Sequence, residues 1–205
     1  MKKIILAVIM LSICSSGPIL ANRILLVPSG QTLTTGQVRA EAALSSGNDE
    51  GKYIWLATGL AQVEINWLRF NKPSGESDNE YGAQWNFLPE TSFNPGVGFG
   101  VQDIAGESDA GVTGYVVATK HLPTSMTGKF VNDLSATVGV AAGGIEGPFF
   151  GFEAHFPLKF FAQGEYDTHF FNAAVGWQPI SLFRLKAYTL RGEGYFGAEL
   201  VPIQF

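Results

Sequence analysis

A two-residue hydrophobic beat, running from Gly36 almost to the terminal Phe205, constrains the fold of this chain more than any other feature. Successive side chains on a β-strand point to opposite faces, so alternation of large apolar with small or polar residues describes strands with one oily face and one mixed face. Segments of this kind recur about every fifteen residues, separated by turn-rich stretches such as Gly47-Asn48-Asp49-Glu50-Gly51. No stretch after the N-terminal leader approaches 18 uninterrupted apolar residues, which excludes spanning helices and leaves strands to carry the architecture.

The first 21 residues set the solvent in which those strands are expected to fold. Lys2 and Lys3 form a positive start, residues 4–14 an apolar core, and residues 15–21 a small, polar end that predicts cleavage after Ala21. Eleven apolar residues are too few to cross a hydrocarbon core that needs about 20, so an export signal is favoured over an anchor. A lipid-modified Cys14 is a lesser alternative. Cys14 is the single cysteine, so a mature chain of 22–205 is expected to use no disulfide, no thiolate metal site and no cysteine nucleophile.

Composition narrows the class further. Charged residues make up 15 % and aromatics 13 % of the chain, against about 25 % charged in an ordinary soluble domain. Loss of the two leader lysines shifts the formal charge from −5 to −7. That balance argues against nucleic acid as a partner, because phosphate binding needs basic patches.

Within a single domain over 22–205, the pattern predicts an all-β, antiparallel, up-and-down transmembrane β-barrel of ten to twelve strands, twelve being the best count. The leader 22–35, with Pro28-Ser29-Gly30, reads as irregular. Val38, Ala40, Ala42 and Leu44 alternate with Arg39 and Glu41; Val63, Ile65 and Trp67 with Glu64 and Asn66; Tyr81, Ala83, Trp85 and Phe87 with Gln84 and Asn86. Val97, Phe99 and Val101 alternate with Gly96, Gly98 and Gly100, a glycine row that implies a narrow interior or a close neighbouring backbone. Phe150 and Phe152 oppose Glu153 and His155; Gln163, Glu165 and Asp167 share a face; Phe171, Ala173, Val175 and Trp177 oppose Asn172, Ala174 and Gly176. Phe183, Leu185 and Ala187 oppose Arg184 and Lys186, a pattern hard to place in a dry core.

Eight charged residues sit in mid-strand opposite the apolar row: Arg39, Glu41, Glu64, Glu153, Glu165, Arg184, Lys186 and Glu199. An Arg or Lys facing lipid near the midplane costs about 2–4 kcal/mol, so in a membrane barrel these groups must point inward and pair there. With His155 they are the candidate lumen-lining or binding residues. In a soluble β-sandwich the same face is instead the solvated exterior. Aromatics near strand ends favour the membrane version, where they form two girdles. The last strand carries a conflict: Phe196, Ala198 and Leu200 have the opposite parity from Val201, Ile203 and Phe205, and a bulge near 200–202 reconciles them.

The stretches VGFGVQDIAG (97–106), YVVATKHL (115–122) and EYDTHFFNAAVGW (165–177) resemble the repeating barrel hairpins of the YjbH group of outer-membrane proteins. The resemblance covers about half the chain, residues 87–185, and marks a compact relative. It implies a non-enzymatic outer-membrane barrel accessory to exopolysaccharide or surface-polysaccharide export, or a small pore. The partners implied are outer-membrane lipid, the outer-membrane assembly machinery and polysaccharide-export components. It brings no catalytic residues.

Two other readings stand beside this one. A membrane-embedded lipid-modifying enzyme would use a rim histidine, with Glu153 orienting His155 towards a hydroxyl, but no serine, Ser135 included, sits in a recognisable motif. Glu165 and Asp167 read as lumen lining in preference to a metal or glycosidase pair, because no partner pair exists elsewhere. A soluble periplasmic barrel binding an apolar ligand is the third reading. No cofactor is expected, and the GxGxG-like spacing at 96–100 precedes no helix.

Overall fold

The computed structural model describes residues 23–47, 51–71, 77–122 and 130–204. The predicted signal with Ala21 and Cys14, and the terminal Phe205, lie outside these residues. Twelve antiparallel strands close into one barrel, each paired with its sequence neighbours and the first with the last. They are β1 (Gln37–Ser45), β2 (Lys52–Leu60), β3 (Val63–Asn71), β4 (Ser77–Leu88), β5 (Gly96–Gln102), β6 (Thr113–Leu122), β7 (Asp133–Gly143), β8 (Gly147–His155), β9 (Phe160–Tyr166), β10 (Phe171–Ile180), β11 (Phe183–Leu190) and β12 (Glu193–Gln204). Asp167, expected within the ninth strand, lies just past its end in the turn to β10.

Closure answers the problem that the sequence poses. An open sheet of this kind has two edges with unpaired amides, and pairing β1 with β12 removes both. The parity conflict in β12 is resolved by a bulge: Val38 pairs with Ile203 and Ala40 with Leu200, so three steps on β12 oppose two on β1. The bulge turns Val201 fully inward.

The two faces are inverted relative to a soluble protein. Outside, Leu56, Ile65, Val116, Val138, Val175 and Leu185 are all exposed. Inside lie all eight mid-strand charges, each at most 5 % exposed. Aromatic clusters mark both ends of the outer belt. Trp85, Phe87 and Phe99 pack together near the rim that holds the start of β1 and the end of β12, Trp85 meeting Phe99 edge-on at 5.2 Å. Phe150, Tyr166 and Phe171 pack near the opposite rim, with Tyr166 and Phe171 4.8 Å apart.

Candidate functional site: the lumen and the segment that fills it

The irregular leader does not trail outside the barrel. Residues 23–36 run up the lumen from the rim where β1 begins, and Ile24, Leu25, Val27 and Leu33 belong to the same buried cluster as wall residues Tyr53, Trp55, Tyr115 and Phe149. The path starts beside β2, where the Gly36 amide donates to the Gly59 carbonyl at 3.1 Å and Thr35 bridges Gly59 in parallel. A Cβ on Gly59 would strike the Leu33 and Thr34 carbonyls, so this crossing requires glycine.

Irregular backbone buried in a barrel has no ladder to satisfy it, so the wall side chains must do so. The Leu33 amide donates to Glu64 at 3.1 Å. The Gln84 side-chain amide donates to the Ser29 carbonyl at 2.7 Å, and that of Asn86 donates to the Gly30 carbonyl. The Gly30 amide donates to Thr119 at 2.7 Å. The β5 glycine row makes room here: a Cβ on Gly30 would strike the Gly96 carbonyl, while Gly98 and Gly100 accommodate the side chains of Gln84 and Tyr115. Both readings of the row hold, a close backbone at Gly96 and filled interior space above it.

Further along, the chain makes a tight turn, the Ile24 amide donating to the Val27 carbonyl at 3.0 Å. The three amides of Leu25, Leu26 and Val27 converge on the Glu165 carboxylate at 2.9 to 3.1 Å. Asn172 donates to the same carboxylate at 2.9 Å. Glu165 is therefore a fixed anchor for the leader, with both oxygens occupied.

The remaining wall charges form one ion-pair network. Arg39 meets Glu199 at 2.8 Å across the β1–β12 seam. Lys186 reaches Glu41 at 2.7 Å and Glu199 at 3.0 Å. Arg184 lies 3.2 Å from Glu153 and 3.8 Å from Glu199. Glu153 is further held by Gln163 at 2.6 Å and by His155 at 2.6 Å. Three cations thus face three carboxylates, and the two carboxylates left over, Glu64 and Glu165, are those that receive the leader's amides. The surplus of acid was visible in the sequence as five carboxylates against three bases; what it signalled was a backbone to be bound.

The histidines divide by environment. His155 faces Glu153, and Asp133 is its cross-strand neighbour. His121 ends β6 beside Ser135, and its amide and ring Nδ1 both bond Glu90 of the β4–β5 connection, at 2.7 and 2.8 Å. Ser135 stands between His121 and Glu153 in the sheet register, yet among the described residues it makes no hydrogen bond to either histidine. His169 lies at the opposite rim, bonded to Thr168. The expected orientation of His155 by Glu153 is present, but among the described residues no hydroxyl is held by that pair.

Arg23, the first described residue of the leader, is a site residue that sequence reasoning missed. Its guanidinium lies 5.5 Å from the Trp55 ring and 5.9 Å from Tyr53, while Arg39 lies 5.3 Å from the same Trp55. Beyond Arg23 the lumen widens into a vestibule of about 400 Å³ at the rim where β5 and β9 end. Leader residues Leu26, Val27 and Pro28 form part of its floor. No alternation marks the leader, so nothing in its pattern showed that it occupies the lumen.

Compared with known proteins, this chain matches no family model and no curated protein.

Proposed function

We propose that this chain is a non-enzymatic outer-membrane barrel, sealed by its own N-terminal segment and accessory to surface-polysaccharide export. The observation that carries the reading is the inversion of the two faces: apolar and aromatic side chains outside, a closed ion-pair network inside. Water rewards the opposite arrangement, whereas hydrocarbon rewards this one. The filled lumen favours an accessory role over an open pore. The polysaccharide assignment rests on the resemblance of 97–106, 115–122 and 165–177 to YjbH-type hairpins. The predicted export signal supports the location.

The test is planar-bilayer conductance of the mature chain, refolded in detergent and checked for a heat-sensitive shift in gel migration. The intact protein should insert and remain almost silent. Deletion of 22–34 should give a steady ion current. A large constant conductance from the intact chain would overturn the sealed reading, and a chain that stays folded and monomeric in buffer without amphiphile would overturn the membrane reading.

A further inference from the structure

The wall and the segment inside it are held by separate sets of contacts. The wall ion pairs run from strand to strand, Arg39 of β1 to Glu199 of β12, Lys186 of β11 to Glu41 of β1 and Arg184 of β11 to Glu153 of β8, so the ring is pinned by its own side chains. The leader is held by hydrogen bonds between its backbone and the wall side chains of Glu64, Gln84, Asn86, Thr119 and Glu165, with Arg39 also donating to the Arg23 carbonyl at 3.4 Å. Water can replace each of those bonds, whereas burial of Ile24, Leu25, Val27 and Leu33 favours the seated position. Gly36, whose φ of +83° glycine adopts at little cost, joins the leader to β1. A segment tethered at one end through such a joint, and not needed for the wall's ion pairs, can leave the lumen without opening the ring.

Charge decides what a vacated lumen passes. Of the eight mid-strand charges that face inward, Glu41, Glu64, Glu153, Glu165 and Glu199 are acidic, and Arg39, Arg184 and Lys186 are basic. At the two mouths a base stands beside an acid, Lys120 at 3.4 Å from Glu90 and Arg191 at 4.0 Å from Asp167. With the leader seated, the amides of Leu25, Leu26 and Val27 converge on Glu165 and that of Leu33 meets Glu64. Once the leader leaves, those amides go, and the cation of Arg23 goes with them. The wall then carries an excess of negative charge in mid-strand, and carboxylates lining a narrow passage concentrate cations and repel anions. We propose that the leader is a hinged plug, and that the lumen it uncovers conducts small cations, K⁺ or Na⁺, in preference to chloride. The proposal adds a gate and a selectivity to the sealed-barrel reading and rests on it.

The experiment measures current and reversal potential across planar bilayers under a KCl gradient, for the mature chain and for variants whose heat-sensitive gel migration shows them folded. Glu165→Gln in the otherwise unchanged chain should raise the fraction of time spent open at least about tenfold, the scale set by losing hydrogen bonds to a charged acceptor. Gly30→Val should conduct with a K⁺ permeability several-fold above that of Cl⁻, and adding Glu64→Gln with Glu165→Gln should bring the two permeabilities towards equality. The chain lacking 22–34 should show the same preference for K⁺. Equal permeabilities or a preference for Cl⁻ in Gly30→Val, a ratio unmoved by the paired glutamine changes, an open fraction unmoved by Glu165→Gln, or silence of both Gly30→Val and the shortened chain would each overturn the proposal. A chain that never inserts sinks the membrane reading beneath it, whereas an inserted barrel with the wrong selectivity sinks only the plug.

Discussion

Lys186 shows what a single buried charge does in this lumen. It is 3 % exposed and holds two carboxylates, Glu41 and Glu199, that belong to different strands. Replacing it with methionine keeps the volume and removes the cation, so that Glu41 loses its ion pair while Glu199 keeps Arg39. Breaking a buried pair in this way costs about 3–5 kcal/mol. Lys186→Met should therefore lower the urea midpoint of the refolded barrel strongly, and a double variant that also carries Glu41→Gln should recover part of the loss. At the rim, Glu90 behaves differently. Its burial opposes ionisation, but the amide and ring of His121 and the neighbouring Lys120 prevail and hold its carboxyl below the ordinary value of 4.5. A depressed carboxylate contributes stability that is complete above its unfolded pKa and disappears as pH falls through the folded one. The β4–β5 connection should accordingly stay docked at neutral pH and loosen below about pH 4.5, read as faster hydrogen exchange at the His121 amide while the mid-barrel amides stay protected.

Among the elements, the leader carries the sharpest prediction. Gly30 passes so close to β5 that a side chain there would strike the Gly96 carbonyl and the Thr119 amide. Gly30→Val should dislodge the segment by collision with β5 and β6 while every strand residue stays unaltered, so single-channel recordings should show current where the parent shows almost none. The strands themselves were largely legible: the parity of Arg39 and Glu41 against Val38 and Ala40, or of Arg184 and Lys186 against Phe183 and Leu185, fixed which side chains face inward. Even the β12 bulge was announced by the clash between Leu200 and Val201. The course of residues 23–36 was not, because its contacts run from backbone amides to distant side chains such as Glu165, and a side-chain pattern does not encode them. Only the two unbalanced carboxylates hinted at it. The vestibule was hidden for the same reason, since its members come from the start of β4 and the turns after β5, β7, β9 and β11 together with Arg23.

For the molecule as a whole, the solvent on the outer belt decides everything else. Val138 lies in the middle of β7, is 60 % exposed, and pairs with Ala118 and Phe150 on its neighbours. In a bilayer, Val138→Arg puts a charge near the midplane and should cost about 2–4 kcal/mol in reversible unfolding from lipid vesicles. Were the belt wetted, the same change would be close to neutral, so the measured loss separates the two environments directly.

The seam between β1 and β12 gives the molecule an order of events. The strand that shuts the ring is made last, some 160 residues after its partner, whereas the stopper for the interior is made before any wall exists. Contacts so remote in sequence form late. The stopper must therefore already be in place, or still able to slip in, when Arg39 finds Glu199, and because it continues directly into β1, parting that seam would loosen its tether as well.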